Sequence, residues 1–331
     1  MLGADAPVRL QTMTKAPAHD AAALASEIRA AADLGADLVR LAVPDDEAAR
    51  VLGEVRRTAP VPIVADIHFD HRLALAALAA GADAVRLNPG NLGGGAAGLA
   101  AVARAAKARG AAIRVGVNAG SLARGETLVS SALKGIAALE AEGFRDIVVS
   151  VKASDAMTTV AATRELAAAT DCPIHLGVTE AGTLLPGAVR SSVALALLLD
   201  EGIGDTLRVS LAARSEQEVR VGMEILRTFG LRAPGPAVVA CPTCGRTRVD
   251  LRHVASQVEI ALETLARDGV RLPKVAVMGC AVNGPGEAQG ADIALCGGVG
   301  EFVLYVKGVP VGKVSEAEAV GKVVEYALHR Q

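Results

Sequence analysis

The sequence predicts an α/β chain: a TIM (β/α)8 barrel followed by a small α+β domain. Three observations carry this reading. Between residues 8 and 230, eight short apolar, β-branched runs alternate with Ala/Leu-rich segments of helical period, as in a parallel sheet covered by helices. Gly35, Gly81, Gly110, Gly143 and Gly202 each stand just ahead of the next apolar run, where a left-handed residue closes a helix. The glycine-rich phosphate loop that opens a doubly wound dinucleotide fold is missing after the first run, whereas eight βα units are what a barrel requires.

The expected strands begin at Val8 (VRLQTM), Leu38 (LVRLAV), Pro62 (PIVADI), Ala84 (AVRLN), Ala112 (AIRVGV), Asp146 (DIVVSV), Ile174 (IHLGV) and Thr206 (TLRVSL). Helices are expected over 18–34, 45–57, 70–80, 97–109, 130–142, 156–169, 188–200 and 214–228. The segment LRAPGPA at 231–237 breaks this rhythm with two prolines and a glycine, so it reads as a linker between domains 1–230 and 231–331. The second domain is expected to hold strands near 236–240 and 274–278, a helix near 252–267, paired strands near 301–306 and 309–314, and a closing helix from about 315.

Composition narrows the function classes. With 34 Lys+Arg against 36 Asp+Glu there is no basic field of the kind that marks nucleic-acid or polybasic membrane binding, so recognition by charge has to be local. No run approaches the eighteen or so apolar residues of a membrane span, and MLGADAPVRLQ lacks the features of a secretory leader, which makes the cytoplasm the expected location. Disulfides are not expected there; of the five cysteines, Cys172 and Cys296 sit in contexts unlike the other three, for which metal or redox chemistry is the better use.

Parallel strands covered on both faces are normally unbroken apolar runs. Five of the eight carry one cation each: Arg40, Arg86, Arg114, Lys152 and Arg208. A lone buried cation costs several kcal/mol unless paired or solvated, so the expected place for five is the C-terminal mouth of the barrel, where active sites of this fold lie. The same strand ends add Asp66 and His68, Asn88, Asn118, Thr179 and Glu180, and Ser210. Guanidinium forks match phosphate oxygens bidentately, so the ring suits a small phosphorylated or diphosphorylated substrate. Any one cation could equally pair with a nearby carboxylate, and a single histidine such as His68 more often serves a hydrogen bond than a metal.

In the second domain, CPTC supplies Cys241 and Cys244, and VMGCAVNGPGEA adds Cys280 in a Gly/Pro loop with Glu287 seven residues on. Three thiolates suit an iron–sulfur cluster or zinc; Cys296 or His253 could be a fourth zinc ligand, though neither lies in a paired knuckle. Glu287 has two readings, an exchangeable ligand at an open metal position and a cap on the following turn.

The motifs VADIHFDHRLAL, RLNPGN, IRVGVNAGSL, VSVKASD, HLGVTEAG, GIGDTLRVSL, CPTCGRT and VMGCAVNGPGEA, running from about Leu10 to Ala291, resemble the 4-hydroxy-3-methylbut-2-enyl diphosphate synthase family. The resemblance implies a TIM barrel joined to a small α+β iron–sulfur domain, and a [4Fe–4S] cluster held by Cys241, Cys244, Cys280 and Glu287. It implies that the barrel binds 2-C-methyl-D-erythritol 2,4-cyclodiphosphate through Arg40, Arg86, Asn88, Arg114, Asn118, Lys152, Arg208 and Ser210. Asp66, His68, Thr179 and Glu180 then lie near the reacting end, with Glu180 expected to deliver a proton, His68 and Asp66 to support it, and Glu287 to yield its place to substrate. Electrons are expected from flavodoxin or ferredoxin, and the assembly is expected to be a head-to-tail homodimer. QTMTK departs from the family's usual Gln-Ser-Met-Thr-Asn at Thr12 and Lys15, and the loop after NAGSL is short. The competing reading is a non-redox barrel that binds phosphorylated ligands and carries a structural zinc domain.

Overall fold

The computed structural model describes residues 2–3, 6–122, 124–233, 235, 237–267, 270–282 and 284–329, without the side chains of Arg267 and Glu287. The chain divides into two compact units, Met1–Arg232 and Ala233–Gln331. Pro234 and Pro236 of the expected linker lie outside the described residues.

The first unit alternates β1 (Arg9–Met13), α1 (Ala21–Asp33), β2 (Leu38–Ala42), α2 (Asp46–Arg56), β3 (Ile63–Asp66), α3 (His71–Ala80), β4 (Ala84–Leu87), α4 (Gly95–Arg109), β5 (Ala112–Asn118), α5 (Leu128–Ala141), β6 (Ile147–Lys152), α6 (Ala156–Ala167), β7 (His175–Leu176), α7 (Leu184–Asp200), β8 (Thr206–Leu207) and α8 (Ser215–Thr228). The strands form a parallel sheet in the order β6-β5-β4-β3-β2-β1-β8-β7. A parallel bridge from Val149 to Ile174 joins its two ends into a barrel. Asp20, Asp45, Asp70 and Asp155 cap α1, α2, α3 and α6 with side-chain carboxylates on first-turn amides, which fixes where each helix leaves its strand.

One parity of each strand packs outward on the helices: Val39 and Leu41, Ile63 and Ala65, Val85 and Leu87, and Ile113, Val115 and Val117 all belong to the main apolar core. Because side chains alternate along a strand, the other parity turns into the barrel. That parity contains Arg40, Asp66, Arg86, Arg114 and Lys152. The register sets Asp66 beside Arg86, Arg86 beside Arg114, and Asn118 beside Lys152.

β7 and β8 are two residues long, shorter than the apolar runs IHLGV and TLRVSL suggest. At Gly177 the two backbones crowd, since a Cβ there would lie 2.7 Å from the Arg208 carbonyl oxygen. Thr179, Glu180, Arg208 and Ser210 consequently stand on loops beyond the strands. α7 begins four residues ahead of the expected start, because Pro186 is tolerated in a first helical turn.

The second unit contains β9 (Val238–Ala240), α9 (Leu251–Arg267), β10 (Val275–Met278), the short helix α10 (Gly284–Glu287), β11 (Ile293–Gly297), β12 (Glu301–Val306), β13 (Val309–Ser315) and α11 (Glu316–Leu328). Its sheet runs β13-β12-β11-β10-β9, with β9, β10 and β11 parallel and the rest antiparallel. Leu251, Val254, Val258 and Leu262 of α9 and Ala319, Val323 and Ala327 of α11 share one apolar core with Val275, Val277, Ile293 and Leu295. The sequence reading missed β11, the sheet's central strand, whose short IALC run is hemmed by Asp and Gly. No described helix is long and apolar enough to cross a membrane.

Candidate functional site

The barrel interior is filled with charge where this fold usually carries branched aliphatic layers. Arg86, Arg114 and Lys152 are 6, 5 and 8 % exposed; Lys152 ends β6 and Arg86 is the next-to-last residue of β4, at the C-terminal strand ends expected for them, whereas Arg114 lies deeper. It is the third residue of seven-residue β5, well below the strand end.

Two carboxylates answer five cations. Asp66 Oδ1 pairs with Arg86 Nη1 at 3.3 Å, and His68 Nε2 lies 3.3 Å from Asp66 Oδ2 and 3.1 Å from the same Arg86 nitrogen. Glu218, on α8 and 1 % exposed, pairs with Arg208 at 3.3 Å. It also receives Lys15 Nζ at 2.8 Å, the Thr12 hydroxyl at 3.0 Å and the Leu211 amide at 2.9 Å. Sequence reasoning missed Glu218 because a glutamate in an amphipathic helix reads as solvated; its signal was a position on the buried face with Val219 and Gly222. Lys15 and Thr12, which depart from the family's usual motif, are its partners.

The other three cations meet no carboxylate among the described residues. Arg40 donates to the Met13 thioether at 3.1 and 2.9 Å, Arg114 donates to the Gln11 side-chain oxygen at 2.7 Å, and Arg114 Nε is buried without a partner. Lys152 Nζ reaches into the space that a side chain on Gly177 would fill, 2.9 Å from its Cβ position. Burial, reinforced by the neighbouring arginines, pulls Lys152 and Arg114 well below their ordinary pKa values. Burial likewise brings Arg40 down to about 10, with Asp66 partly offsetting it. For Asp66, burial would raise the pKa, but the His68 hydrogen bond and the charges of Arg40 and Arg86 win and hold the carboxyl well below its ordinary range.

Around this interior stand the strand-end residues. Asn88 Nδ2 donates to Ser121 Oγ at 3.1 Å and Ser121 Oγ donates to the Asn118 carbonyl at 2.8 Å, so the loops after β4 and β5 form one polar ledge. Thr179 and Ser210 are half-buried and Glu180 is exposed; no side-chain hydrogen bond ties them to the cations among the described residues. Glu180 has φ of 52°, a left-handed value uncommon outside glycine and concentrated at functional sites. His175, which sequence reasoning passed over, is 1 % exposed, shares a proton with Thr206 Oγ1 at 2.7 Å and keeps Nε2 unpartnered. Burial and then the Lys152 and Arg114 charges push its pKa down, so it is a neutral imidazole.

In the second unit, the C-terminal ends of parallel β9 and β10 deliver the cysteines side by side. Cys241 follows β9 and its amide donates to the Val277 carbonyl at 3.0 Å; Cys280 follows β10. Thr243, between Cys241 and Cys244, has φ of 68°, and a turn from Cys244 to Thr247 closes with amide and hydroxyl bonds of 3.0 and 3.3 Å. Thr247 packs on Gly279, where a Cβ would come within 2.6 Å of the Thr247 hydroxyl, so the CPTC turn and the Cys280 loop share one edge. No three His, Cys, Asp or Glu side chains are placed to hold a single metal ion among the described residues, and the Glu287 side chain lies outside them. Cys296, 1 % exposed in β11, belongs to an apolar cluster against which Cys241 packs, and burial, then the neighbouring Cys280, push its thiol up to about 11; His253 is exposed on α9.

A family model described as the GcpE TIM-barrel domain matches residues 1–223, and another described as the GcpE protein C-terminal domain matches residues 237–329. A relative from Desulfotalea psychrophila, named 4-hydroxy-3-methylbut-2-en-1-yl diphosphate synthase (flavodoxin), is 46 % identical over 330 residues, spanning 96 % of this chain and 89 % of that one. Relatives of the same name from Maridesulfovibrio salexigens and Symbiobacterium thermophilum are 48 and 47 % identical, spanning 96 and 98 % of this chain and 90 and 89 % of theirs. Among solved structures, dihydropteroate synthase from Xanthomonas albilineans in complex with 7,8-dihydropteroate shares the barrel fold, with a TM-score of 0.51 and 17 % identity over 68 % of this chain and 92 % of that one. With both units matched, and with close relatives along nearly its whole length, the chain belongs to the GcpE family.

Proposed function

We propose that the protein opens the ring of 2-C-methyl-D-erythritol 2,4-cyclodiphosphate reductively to give 4-hydroxy-3-methylbut-2-enyl diphosphate. The observation that carries this is that Arg40, Arg114 and Lys152 meet no carboxylate among the described residues, while Asp66 answers Arg86 and Glu218 is shared by Arg208 and Lys15, in a chain whose relatives bear the name of that synthase. Buried cations without partners are costly, and a diphosphate supplies what the interior lacks.

In this reading Arg40, Arg86, Arg114, Lys152 and Arg208 neutralise the diphosphate, while Asn88, Asn118, Thr179 and Ser210 orient it by hydrogen bonds. Asp66, kept ionised by its neighbours, and His68 hold the hydroxyl-bearing end of the substrate. Glu180, on a strained loop at the mouth, hands over a proton. Two electrons and two protons enter, a ring C–O bond to phosphate breaks, and a hydroxyl leaves as water. Cys241, Cys244, Cys280 and Glu287 would hold a [4Fe–4S] cluster, for which soft thiolates on adjoining loops are a suitable donor set and which supplies single-electron chemistry when bound. Flavodoxin, named with the relatives, is the electron donor of this reading. The reading also takes 1–230 as the substrate domain and 231–331 as the cluster domain, a head-to-tail homodimer as the working assembly, and the cytoplasm as the location.

Anaerobic isolation tests it. Brown protein with about four iron and four sulfide per chain, converting the cyclic diphosphate with loss of one water, is expected. Colourless protein holding one zinc overturns the cluster, and full turnover by Glu287→Ala overturns the ligand role of that residue.

A further inference from the structure

Glu218 faces more donors than its two oxygens can satisfy well. Its Oε1 accepts from Lys15 Nζ at 2.8 Å and from the Leu211 amide at 2.9 Å, and its Oε2 accepts from the Thr12 hydroxyl at 3.0 Å. Arg208 comes last: Nη2 lies 3.3 Å from each oxygen and Nε 3.4 Å from Oε2. A guanidinium with a carboxylate to itself sits fork on fork, with two parallel bonds of about 2.7–2.9 Å. Three closer donors keep Arg208 from that geometry, and of the three only Lys15 carries charge.

Arg208 is loosely held on its other side as well. Its Nη1 lies 3.6 Å from the Met13 thioether, a weak acceptor that already takes contacts of 3.1 and 2.9 Å from Arg40. Its backbone is fixed, the amide donating to the Leu176 carbonyl at 3.0 Å, so the freedom lies in the side chain. Lys15, by contrast, is tied at both ends. Its own amide donates to Glu27 of α1 at 2.9 and 3.1 Å, the Ala16 amide donates to the same carboxylate at 2.9 Å, and the Ser215 hydroxyl at the start of α8 closes on it at 2.5 Å. Nζ divides its bonds between Glu218 and the Leu211 carbonyl, both at 2.8 Å. The carbonyl anchors the ammonium on Glu218.

We propose that Lys15 is a positioning residue for Arg208: by occupying Glu218 it prevents a closed Arg208–Glu218 pair and leaves the guanidinium fork free to turn to the diphosphate. The inference deepens the function proposed above and rests on it for the ligand. Without Lys15, Glu218 would take Arg208 as its one ionic partner. Substrate would then have to break a charge-assisted bidentate pair inside the barrel, where such bonds are strong, before using that arginine. Binding weakens in that case, while the chemical step, which Lys15 does not touch, keeps its rate.

The test compares parent and Lys15→Met, each with Glu218 and with Glu218→Gln, by steady-state kinetics of the holoenzyme on the cyclic diphosphate and by calorimetric titration with inorganic pyrophosphate. Lys15→Met should raise KM and the pyrophosphate Kd at least about tenfold, the order of one charge-assisted hydrogen bond, with kcat within about twofold. The Tm of the ligand-free protein should move by no more than about 4 °C, because Glu218 keeps a partner. In the Glu218→Gln background the same substitution should change both constants by less than about twofold, since no carboxylate is left to capture Arg208. In a crystal structure of Lys15→Met, Arg208 should close on Glu218 to about 2.7–2.9 Å, a reading that holds even where the Glu218→Gln proteins fail to fold.

Unchanged KM and Kd overturn the proposal, as does an Arg208 no closer to Glu218 in that crystal. An equal loss of binding in both backgrounds also overturns it, by making Lys15 a plain contributor of charge, and so does a fall in kcat and Tm at constant Kd, by making it structural. A parent that binds pyrophosphate but leaves the cyclic diphosphate unopened defeats the functional reading, and the titrations still decide Lys15. A parent that binds neither anion defeats both.

Discussion

Arg114 meets Gln11 and not a carboxylate: its guanidinium donates to the amide oxygen at 2.7 Å inside the barrel. A neutral acceptor satisfies one N–H while leaving the full positive charge for a ligand. Replacing Gln11 by glutamate keeps the shape and cancels that charge. Gln11→Glu should raise the KM for the cyclic diphosphate about 10- to 100-fold, roughly 1.4–2.7 kcal/mol, and should raise the Tm of the ligand-free protein. Steady-state kinetics and thermal melts check the two signs together; a variant that binds as well as the parent would remove the basis for the charge argument.

Glu218 should behave in the opposite way. Glu218→Gln strips the counter-charge from Lys15 and Arg208 and leaves both facing a buried amide. Removing one partner of a buried pair costs about 3–5 kcal/mol. Urea unfolding of the ligand-free protein should show that loss, and saturating cyclic diphosphate should recover part of it, because the anion neutralises the same charges.

Gly177 is required by the space it leaves. A methyl there would sit 2.7 Å from the Arg208 carbonyl and 2.9 Å from Lys152 Nζ. Gly177→Ala should destabilise by about 1–3 kcal/mol and, by displacing Lys152, weaken substrate binding at least tenfold. A calorimetric titration with the cyclic diphosphate reads the second effect, which an overpacked position remote from the cations would not produce.

Lys152 makes a prediction about pH. Its folded pKa lies well below the ordinary 10.5, chiefly through burial, so across the gap the unfolded chain binds the extra proton. Stability contributed by this group therefore rises as pH climbs from the folded value toward 10.5. Parent minus Lys152→Met, followed by urea unfolding from neutral to alkaline pH, should show that rise. Inorganic pyrophosphate in the barrel should flatten it by favouring the charged ammonium in the folded state.

The barrel was legible because its signals are local. Apolar runs alternated with helical segments, glycines such as Gly81 and Gly110 closed helices in left-handed geometry, and aspartates capped the next ones. The cations were legible as breaks in apolar strands, since nothing else explains Arg86 and Arg114 at adjacent register positions. What was not legible depends on distant partners. Glu218 acquires its meaning from Thr12 and Lys15, some two hundred residues earlier in the chain but beside it in the barrel, and the depth of Arg114 depends on which strand residues face one another. β11 was missed because four apolar residues between Asp292 and Gly297 carry no period, and only β10 and β12 on either side make them a strand.

The Glu218 cluster also sets when the barrel can close during synthesis. Thr12 and Glu218 are 206 residues apart. Every cation from Arg40 to Arg208 leaves the ribosome before the carboxylate that neutralises Lys15 and Arg208, so the nascent chain cannot bury its charged lumen piecemeal from the N-terminus. Contacts of such long range are slow to form. The last helix of the barrel thus acts as the latch on its first strand, and a nascent chain stalled before α8 would expose a strand edge together with a run of unpaired cations, a recognisable target for chaperones and proteases.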